Sequence, residues 1–171
     1  MYCPACNHAR NPPGSDACEN CGLPLVRTDE PALHGRVERS LMTEPVAALE
    51  PRPPVTVPTD AALGDAIRLM IDRRVGAVLV VGTAGELVGI LTERDFLTRV
   101  AGRVGFERLA VHAFMTRDPE TVTAADTLAF ALGKMDAGGY RHLPVVAAGQ
   151  PIGVISVRDV LRHVTRISQN G

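Results

Sequence analysis

The chain has 171 residues, of which 46% are hydrophobic and 22% charged, enough for one core plus a small segment that needs another means of folding. Its formal net charge of -1 argues against general attraction to nucleic acid or to an anionic membrane. Because no apolar run reaches roughly 20 residues and the N-terminus lacks a signal-peptide pattern, we expect a cytoplasmic protein without a membrane partner.

All four cysteines lie near the N-terminus, in two CxxC pairs: Cys3 with Cys6, and Cys18 with Cys21. Each CxxC forms a tight turn that points two thiolates at one metal ion, and two such turns complete a tetrahedron. In a reducing cytosol this clustering favours metal binding over disulfides. We therefore predict a closed structural Zn²⁺ site, with no coordination position left for a substrate.

The segment 2–25 resembles the short zinc ribbons attached to many bacterial and archaeal proteins, which implies a zinc ribbon over residues 1–25. Asn7 and Gly22 suit the backbone turns that follow the two knuckles. Four cysteines satisfy the metal, so we expect His8 to be a surface group. Residues 1–30 contain two arginines and four acidic residues, which argues against nucleic acid. Docking of a protein partner, or of the rest of this chain, is the favoured role.

A polar stretch over residues 26–40 is typical of a linker, and a helix is expected to start between Gly35 and Ser40. The chain then repeats itself at an offset of 65 residues, which becomes 64 after a gap near Ala84. The repeat predicts a first copy over 41–102 and a second over 103–164, followed by a tail over 165–171. Matched identities include Thr56/Thr121, Met70/Met135, Gly89/Gly153 and Asp95/Asp159.

Both copies have the same predicted order of elements, strand-helix-strand-strand-helix. Apolar strands covered by helices predict an α/β fold of the layered α+β kind. In the first copy the strands are 55–57, 77–81 and 87–91, and the helices 61–74 and 93–100. In the second copy the strands are 120–123, 143–147 and 152–155, and the helices 126–137 and 157–164.

The copies carry related motifs: an opening Met-Thr at 42–43 and 115–116, a central strand RHLPVV at 141–146, and strand-to-helix segments GILTERD at 89–95 and GVISVRD at 153–159. This pattern resembles the CBS (cystathionine beta-synthase) domain, and two copies resemble a Bateman module. The resemblance implies a regulatory module that binds an adenine nucleotide (AMP, ADP or ATP) between the repeats. It also implies a homodimer and an unidentified protein target.

Each strand-to-helix motif places a hydroxyl, Thr92 or Ser156, at a helix start and a carboxylate, Asp95 or Asp159, three residues later. One interpretation is a capping box. The other is a nucleotide site in which the positive helix end attracts phosphate. The local sequence leaves both open. The family resemblance implies the second, with the aspartates as ribose ligands and Thr92 and Ser156 near the phosphate.

The resemblance also implies contacts at Thr56 and Thr121, which match positions that meet the base. Their alternative role is that of ordinary β-branched strand residues. Arg94 and Arg158 each precede a motif aspartate in the first helical turn, where a bound anion would offset the unfavourable charge. The alternative is that both arginines point into solvent.

The second copy has Arg141 and His142 where the first has Gly76 and Ala77. The resemblance implies that these two basic residues reach the phosphate held at the Asp95 site, and arginine suits phosphate because it binds as a bidentate fork. The alternative is a pair of solvated residues at the edge of a strand.

We predict no enzymatic activity, because the sequence has no nucleophile elbow, kinase glycine loop or Walker motif. His112 and His163 lack a partner at telling spacing and are expected at the surface. The main alternative function is an interaction protein, in which the CBS pair is a ligand-free scaffold and the ribbon binds another protein.

Overall fold

The structure, a computed structural model, describes residues 3, 5–12, 15–25 and 35–169. They form two compact units. The cysteine unit comprises the described residues within 1–51, 122–143 and 155–171, and the sheet unit comprises 52–121 and 144–154. Residues 26–34 of the predicted linker and the last two residues of the predicted tail lie outside the described residues.

The sheet unit is built on four strands in the order β1-β2-β3-β4. β1 runs parallel to β2, while the β2–β3 and β3–β4 pairs are antiparallel. β2 is an unbroken apolar run that is buried along most of its length, as expected of a central strand. The strands are β1 Thr56–Pro58, β2 Ala77–Val81, β3 Leu87–Thr92 and β4 Thr116–Arg117.

Side chains alternate between the two faces of this sheet. Helix α2 (Leu63–Arg73) packs on one face, where Val78, Val80 and Leu91 are fully or almost fully buried. The opposite face carries a second apolar cluster, of Ala77, Leu79 and Ile90. The predicted α/β layering is confirmed by this arrangement of a helix on a sheet.

The cysteine unit is mainly helical. Helix α1 packs against α4 and α5, and the Leu128 amide at the start of α4 donates to the Glu44 carbonyl at 3.0 Å. α1 begins at Arg36, within the stretch expected to start a helix. The long helices of this unit are α1 Arg36–Thr43, α4 Leu128–Gly138 and α5 Val157–Gln169.

Two further strands, β5 (His142–Ala147) and β6 (Gln150–Ser156), pair in a separate two-stranded sheet. They correspond closely to the predicted strands 143–147 and 152–155. No helix among the described residues is long and apolar enough to cross a membrane.

Three predicted elements differ from the structure. The strand predicted over 120–123 is reduced to a single bridge residue, Val122. The helix predicted over 93–100 is a three-residue α3, Glu93–Asp95, continued by a π-helical turn, Phe96–Val100. α5 extends beyond its predicted end, since residues 165–169 contain neither Gly nor Pro.

Candidate functional site

The first strand-to-helix motif is a capping box. Thr92 ends β3 and caps α3: its hydroxyl accepts from the Asp95 amide at 3.3 Å. In return, Asp95 Oδ2 accepts from the Thr92 amide at 3.0 Å and from the Thr92 hydroxyl at 2.6 Å. Asp95 is only 8% exposed, so these bonds fix one carboxylate oxygen inside the protein.

The second motif repeats this geometry in the cysteine unit. Asp159 Oδ2 accepts from the Ser156 amide at 2.8 Å and from the Ser156 hydroxyl at 2.6 Å. The other oxygen, Oδ1, accepts from Arg162 at 3.1 Å. In both copies, therefore, the cap uses Oδ2 and leaves Oδ1 to face a neighbouring arginine.

The capping interpretation does not exclude the nucleotide interpretation. A carboxylate has about four lone-pair sites, and the cap engages those of one oxygen. Asp95 Oδ1 lies 3.6 Å from the Arg99 guanidinium, beyond normal hydrogen-bond distance. This oxygen retains the capacity to accept from hydroxyl groups such as those of a ribose.

At the start of α3, fewer backbone amides are available to a phosphate than the sequence implies. The Glu93 amide donates to the Gly76 carbonyl at 3.1 Å, and the Asp95 amide is used by the cap. In the second copy the Val157 amide donates to the Arg141 carbonyl in the same way, at 3.1 Å. With these amides engaged, fewer donors at the helix starts are left for an anion.

Thr56 lies on the same sheet face as the motif. It aligns with Leu79, which aligns with Ile90, two residues before Thr92. With strands ~4.8 Å apart and a rise of ~3.3 Å per residue, the Cα atoms of Thr56 and Thr92 are about 12 Å apart. Thr56 is exposed, and this separation is on the scale of a nucleoside monophosphate.

Thr121 lines a cavity of about 280 Å³ in the sheet unit, next to Asp118 and Pro119. Leu87, the first residue of β3, also lines it, so the cavity lies at the end of β3 opposite Thr92. The role of Thr121 as a base contact stays a prediction.

The basic residues predicted at the sites occupy different environments. Arg94, Arg141 and Arg158 are exposed, whereas His142, the first residue of β5, is half-buried. Arg141 and His142 belong to the cysteine unit and Asp95 to the sheet unit. The predicted contact of these two residues with a phosphate at the Asp95 site therefore stays a prediction.

The four cysteines converge on one point. Their Sγ atoms all lie within 4.8 Å of one another, and the Cys3–Cys21 and Cys6–Cys18 pairs are each 3.6 Å apart. Four sulfurs around Zn²⁺ at ~2.3 Å would be about 3.8 Å apart, so the cluster fits a tetrahedral zinc site. Among the described residues no other potential ligand joins this cluster, and His8 is not part of it.

The knuckle backbone supports this convergence. Asn7 and Gly22 follow Cys6 and Cys21 with left-handed φ values of 59° and 72°, as expected for the turns. Asn11 is buried and connects the two knuckles: its amide group donates to the His8 carbonyl at 3.2 Å, and its oxygen accepts from the Glu19 amide at 2.9 Å.

The thiols have unequal proton affinities. Burial raises the pKa of Cys3 and also that of Cys21. Burial also acts to raise the pKa of Cys18, but hydrogen bonds from the Cys21 and Asn20 amides, with the neighbouring thiols, outweigh it and lower this pKa to about 6. Cys18 is thus more readily ionised than Cys3 or Cys21.

The cysteine cluster also contacts the rest of its unit. Cys3, Ala5, Cys18 and Leu25 are buried together, with Ala129 of α4 packed against them. Thr127, the N-cap of α4, donates from its hydroxyl to the Ala5 carbonyl. The N-terminal cysteine segment therefore contacts the start of α4, a helix of the second copy.

Comparison with known proteins identifies the family. The family model of the CBS domain matches residues 37–102 and 111–166. The chain belongs to the CBS domain family. A CBS domain-containing protein of Arabidopsis thaliana is 41% identical over 109 residues, which are 63% of this chain and 20% of that protein. The chain therefore spans about a fifth of the length of that curated relative.

Solved CBS structures share the fold. A CBS-domain containing protein from Agrobacterium tumefaciens has a TM-score of 0.63 and 31% identity, over 68% of this chain and 88% of that one. A CBS domain protein from Pyrobaculum aerophilum, solved in complex with AMP, has a TM-score of 0.63 and 27% identity, over 71% of this chain and 98% of the other.

Sequence reasoning missed one buried histidine of the CBS pair. His163 was expected at the surface but is 5% exposed. Its Nε2 lies 2.9 Å from the Ser40 hydroxyl and 3.1 Å from a Glu44 carboxylate oxygen, while Arg166 approaches Nδ1 at 3.1 Å. In a catalytic triad the hydroxyl and the carboxylate contact opposite nitrogens of the histidine ring. Here Ser40 and Glu44 both approach Nε2, so the cluster does not have that arrangement.

Sequence reasoning also missed Arg99, although its spacing gave a signal. It lies four residues after Asp95, and acidic and basic side chains at this spacing are neighbours on the surface of a helix. His112, by contrast, is exposed as expected.

Proposed function

We propose that this CBS pair is a ligand-sensing regulatory module that binds an adenine nucleotide, without catalysing a reaction on it. The main support is the repeated geometry of Asp95 and Asp159. In each copy one carboxylate oxygen is held by a helix-capping hydroxyl and amide, and the other faces an arginine and has lone-pair capacity for a further donor. The AMP complex of the relative from Pyrobaculum aerophilum adds support for the ligand class.

In this proposal Asp95 and Asp159 accept hydrogen bonds from ribose hydroxyls, which are strong because the acceptor is charged. Thr56 and Thr121 meet the base, and Thr92 and Ser156 lie near the phosphate. The negative charge of the phosphate interacts with four basic residues: Arg94, Arg158, Arg141 and His142. Binding regulates a target only if two conformational or oligomeric states differ in affinity for the nucleotide.

We also propose that the cysteine cluster binds structural Zn²⁺ as a zinc ribbon, which the sulfur spacing supports. Bound zinc would supply the folding energy that so short a segment cannot obtain from hydrophobic burial. Two contacts with the start of α4, that of Ala5 with Thr127 and that of the buried cysteine cluster with Ala129, support docking of the ribbon on its own chain.

The chain is further proposed to act as a homodimer. Ile71 of α2 and Leu97 are each 69% exposed, and Leu161 of α5 is 60% exposed. Large apolar side chains at this exposure gain free energy when a second copy covers them. Light scattering should give the mass of a dimer, and Leu97→Glu or Leu161→Glu should shift the population towards monomer. A monomeric wild-type protein would refute the homodimer.

Thermal melting with a ligand panel tests the function directly. AMP, ADP, ATP, NAD and S-adenosylmethionine are added separately, each at about 100 times an assumed Kd, at which a binding ligand stabilises by about 2.7 kcal/mol. We expect the melting temperature to rise with an adenine nucleotide. If no ligand of the panel raises it, the CBS pair is a scaffold, and a protein-binding role of the ribbon becomes the better account.

A further inference from the structure

Arg99 of the sheet unit contacts two segments at once. Its Nη1 lies 3.6 Å from Asp95 Oδ1, the carboxylate oxygen that the capping box leaves. The same nitrogen donates to the Phe114 carbonyl at 3.0 Å and lies 3.4 Å from the Met115 carbonyl. One cation thus connects the first motif to the segment that leads into β4.

That segment is firmly packed. Phe114 and Met115 are 6% and 8% exposed, and the Met115 sulfur occupies the space where a side chain on Gly89 would lie. Immediately afterwards, β4 pairs with β3, and the Asp118 amide donates to the Val88 carbonyl at 3.3 Å. A displacement of the Met115 carbonyl can therefore be transmitted through packed residues to Asp118, which lines the same cavity as Thr121.

The π-helical turn distinguishes this site from its counterpart. The Ala101 amide donates to the Phe96 carbonyl at 2.9 Å, a bond that spans five residues. Such turns frequently occur at functional sites. In the second copy the residue aligned with Arg99 is His163, which contacts Ser40 instead, and Asp159 pairs with Arg162.

We propose that Arg99 is a positioning residue of the first nucleotide site and transmits the occupancy of that site to residues 114–121. The inference rests on the proposed function, because it requires a ribose at Asp95. Hydroxyls that donate to Oδ1 fix the carboxylate, and the carboxylate in turn fixes the guanidinium beside it. The guanidinium then holds the carbonyls of Phe114 and Met115, which slows local opening of that segment.

The test uses AMP and an Asp159→Ala background, in which only the first site remains. Calorimetry gives the affinity, and hydrogen exchange follows individual backbone amides. With Arg99 present, AMP should slow exchange at the Asp95 amide and also at Met115 and Asp118. Arg99→Gln should weaken AMP by about two- to fivefold, the contribution of a half-exposed ion pair, and abolish the slowing at Met115 and Asp118 while retaining it at Asp95.

Two further variants distinguish a positioning role of Arg99 from a purely structural one. Arg68→Gln removes a cation from an exposed pair with Asp65 on α2 and should behave like the background protein. Arg99→Lys keeps the charge and should bind AMP more tightly than Arg99→Gln. Unchanged affinity and unchanged slowing at Met115 in Arg99→Gln, or equal losses in the Lys and Gln variants, would overturn the role of Arg99. Failure of both the wild-type chain and the folded background protein to bind any adenine nucleotide would instead refute the proposed function.

Discussion

At the scale of single residues, the observed capping role of Asp95 and its proposed role as a ribose ligand can be measured separately. Asp95→Ala removes the carboxylate from the capping box, which should lower the free energy of unfolding by about 1 kcal/mol. It should also weaken AMP at the first site by about 1 to 3 kcal/mol, because a charged hydrogen-bond acceptor is lost. Urea denaturation and calorimetry measure the two effects.

Thr127→Ala is the matched control for this prediction. Thr127 caps α4 by accepting from the Phe130 amide at 3.2 Å and lies outside both motifs. Its loss should lower the free energy of unfolding and leave AMP affinity unchanged. An Asp95→Ala protein that melts lower and still binds AMP normally would leave Asp95 with the capping role alone.

A second prediction concerns the asymmetry between the sites. Arg141→Ala should weaken the Asp95 site severalfold and spare the Asp159 site, with ADP and ATP affected more than adenosine, because arginine binds phosphate rather than base. Titrations in Asp95→Ala and Asp159→Ala backgrounds read the two sites separately. Equal losses at both sites would contradict the assignment of Arg141.

The sequence was most informative about residues whose role is local. Thr92 with Asp95, and Ser156 with Asp159, could be paired because three residues of helix bring hydroxyl and carboxylate together. The buried position of His163 could not be predicted, because its partner Ser40 lies 123 residues away in the chain. A contact between residues so far apart in the chain produces no periodic pattern in the sequence.

At the scale of secondary structure, alanine substitutions at two glycines are expected to change the free energy of unfolding in opposite directions. Gly89→Ala places a Cβ against the Met115 sulfur and 3.1 Å from the Thr116 carbonyl oxygen, which should cost about 1 to 3 kcal/mol through overpacking. Gly133 lies inside α4 with open space around it, so Gly133→Ala should stabilise by about 0.5 to 1 kcal/mol. Urea denaturation of both variants is the measurement. Destabilisation by Gly133→Ala would contradict the open position of Gly133 inside α4.

Elements with strong local signals were predicted well, and those set by tertiary contacts were not. β2 was predicted over 77–81 and is found there, since a short apolar run bounded by glycines is typical of a buried strand. The π-helical turn at Phe96–Val100 has no such signature. Of the strand expected over 120–123 only the bridge residue Val122 is found, because the length of a strand depends on pairing with distant neighbours that the repeat does not specify.

At the scale of the whole molecule, the ribbon and the CBS pair are expected to depend on different ligands. We predict one Zn²⁺ per chain, and Cys18→Ser or a chelator should unfold the ribbon, because no large core supports it. Metal analysis and hydrogen exchange over residues 15–25 check this, with AMP binding at the Asp95 site as the property that should not change. Well under one zinc per purified chain, or a protected ribbon in Cys18→Ser, would contradict the zinc assignment.

The central claim is that the repeated aspartates belong to adenine-nucleotide sites. Calorimetric titration of AMP into the wild-type chain and into an Asp95→Ala, Asp159→Ala double variant tests it most directly. We expect saturable heat for the wild type and a loss of affinity at both sites in a double variant that remains folded, since each ribose would lose its charged acceptor. No heat from the wild type, or undiminished affinity in the folded double variant, would contradict it.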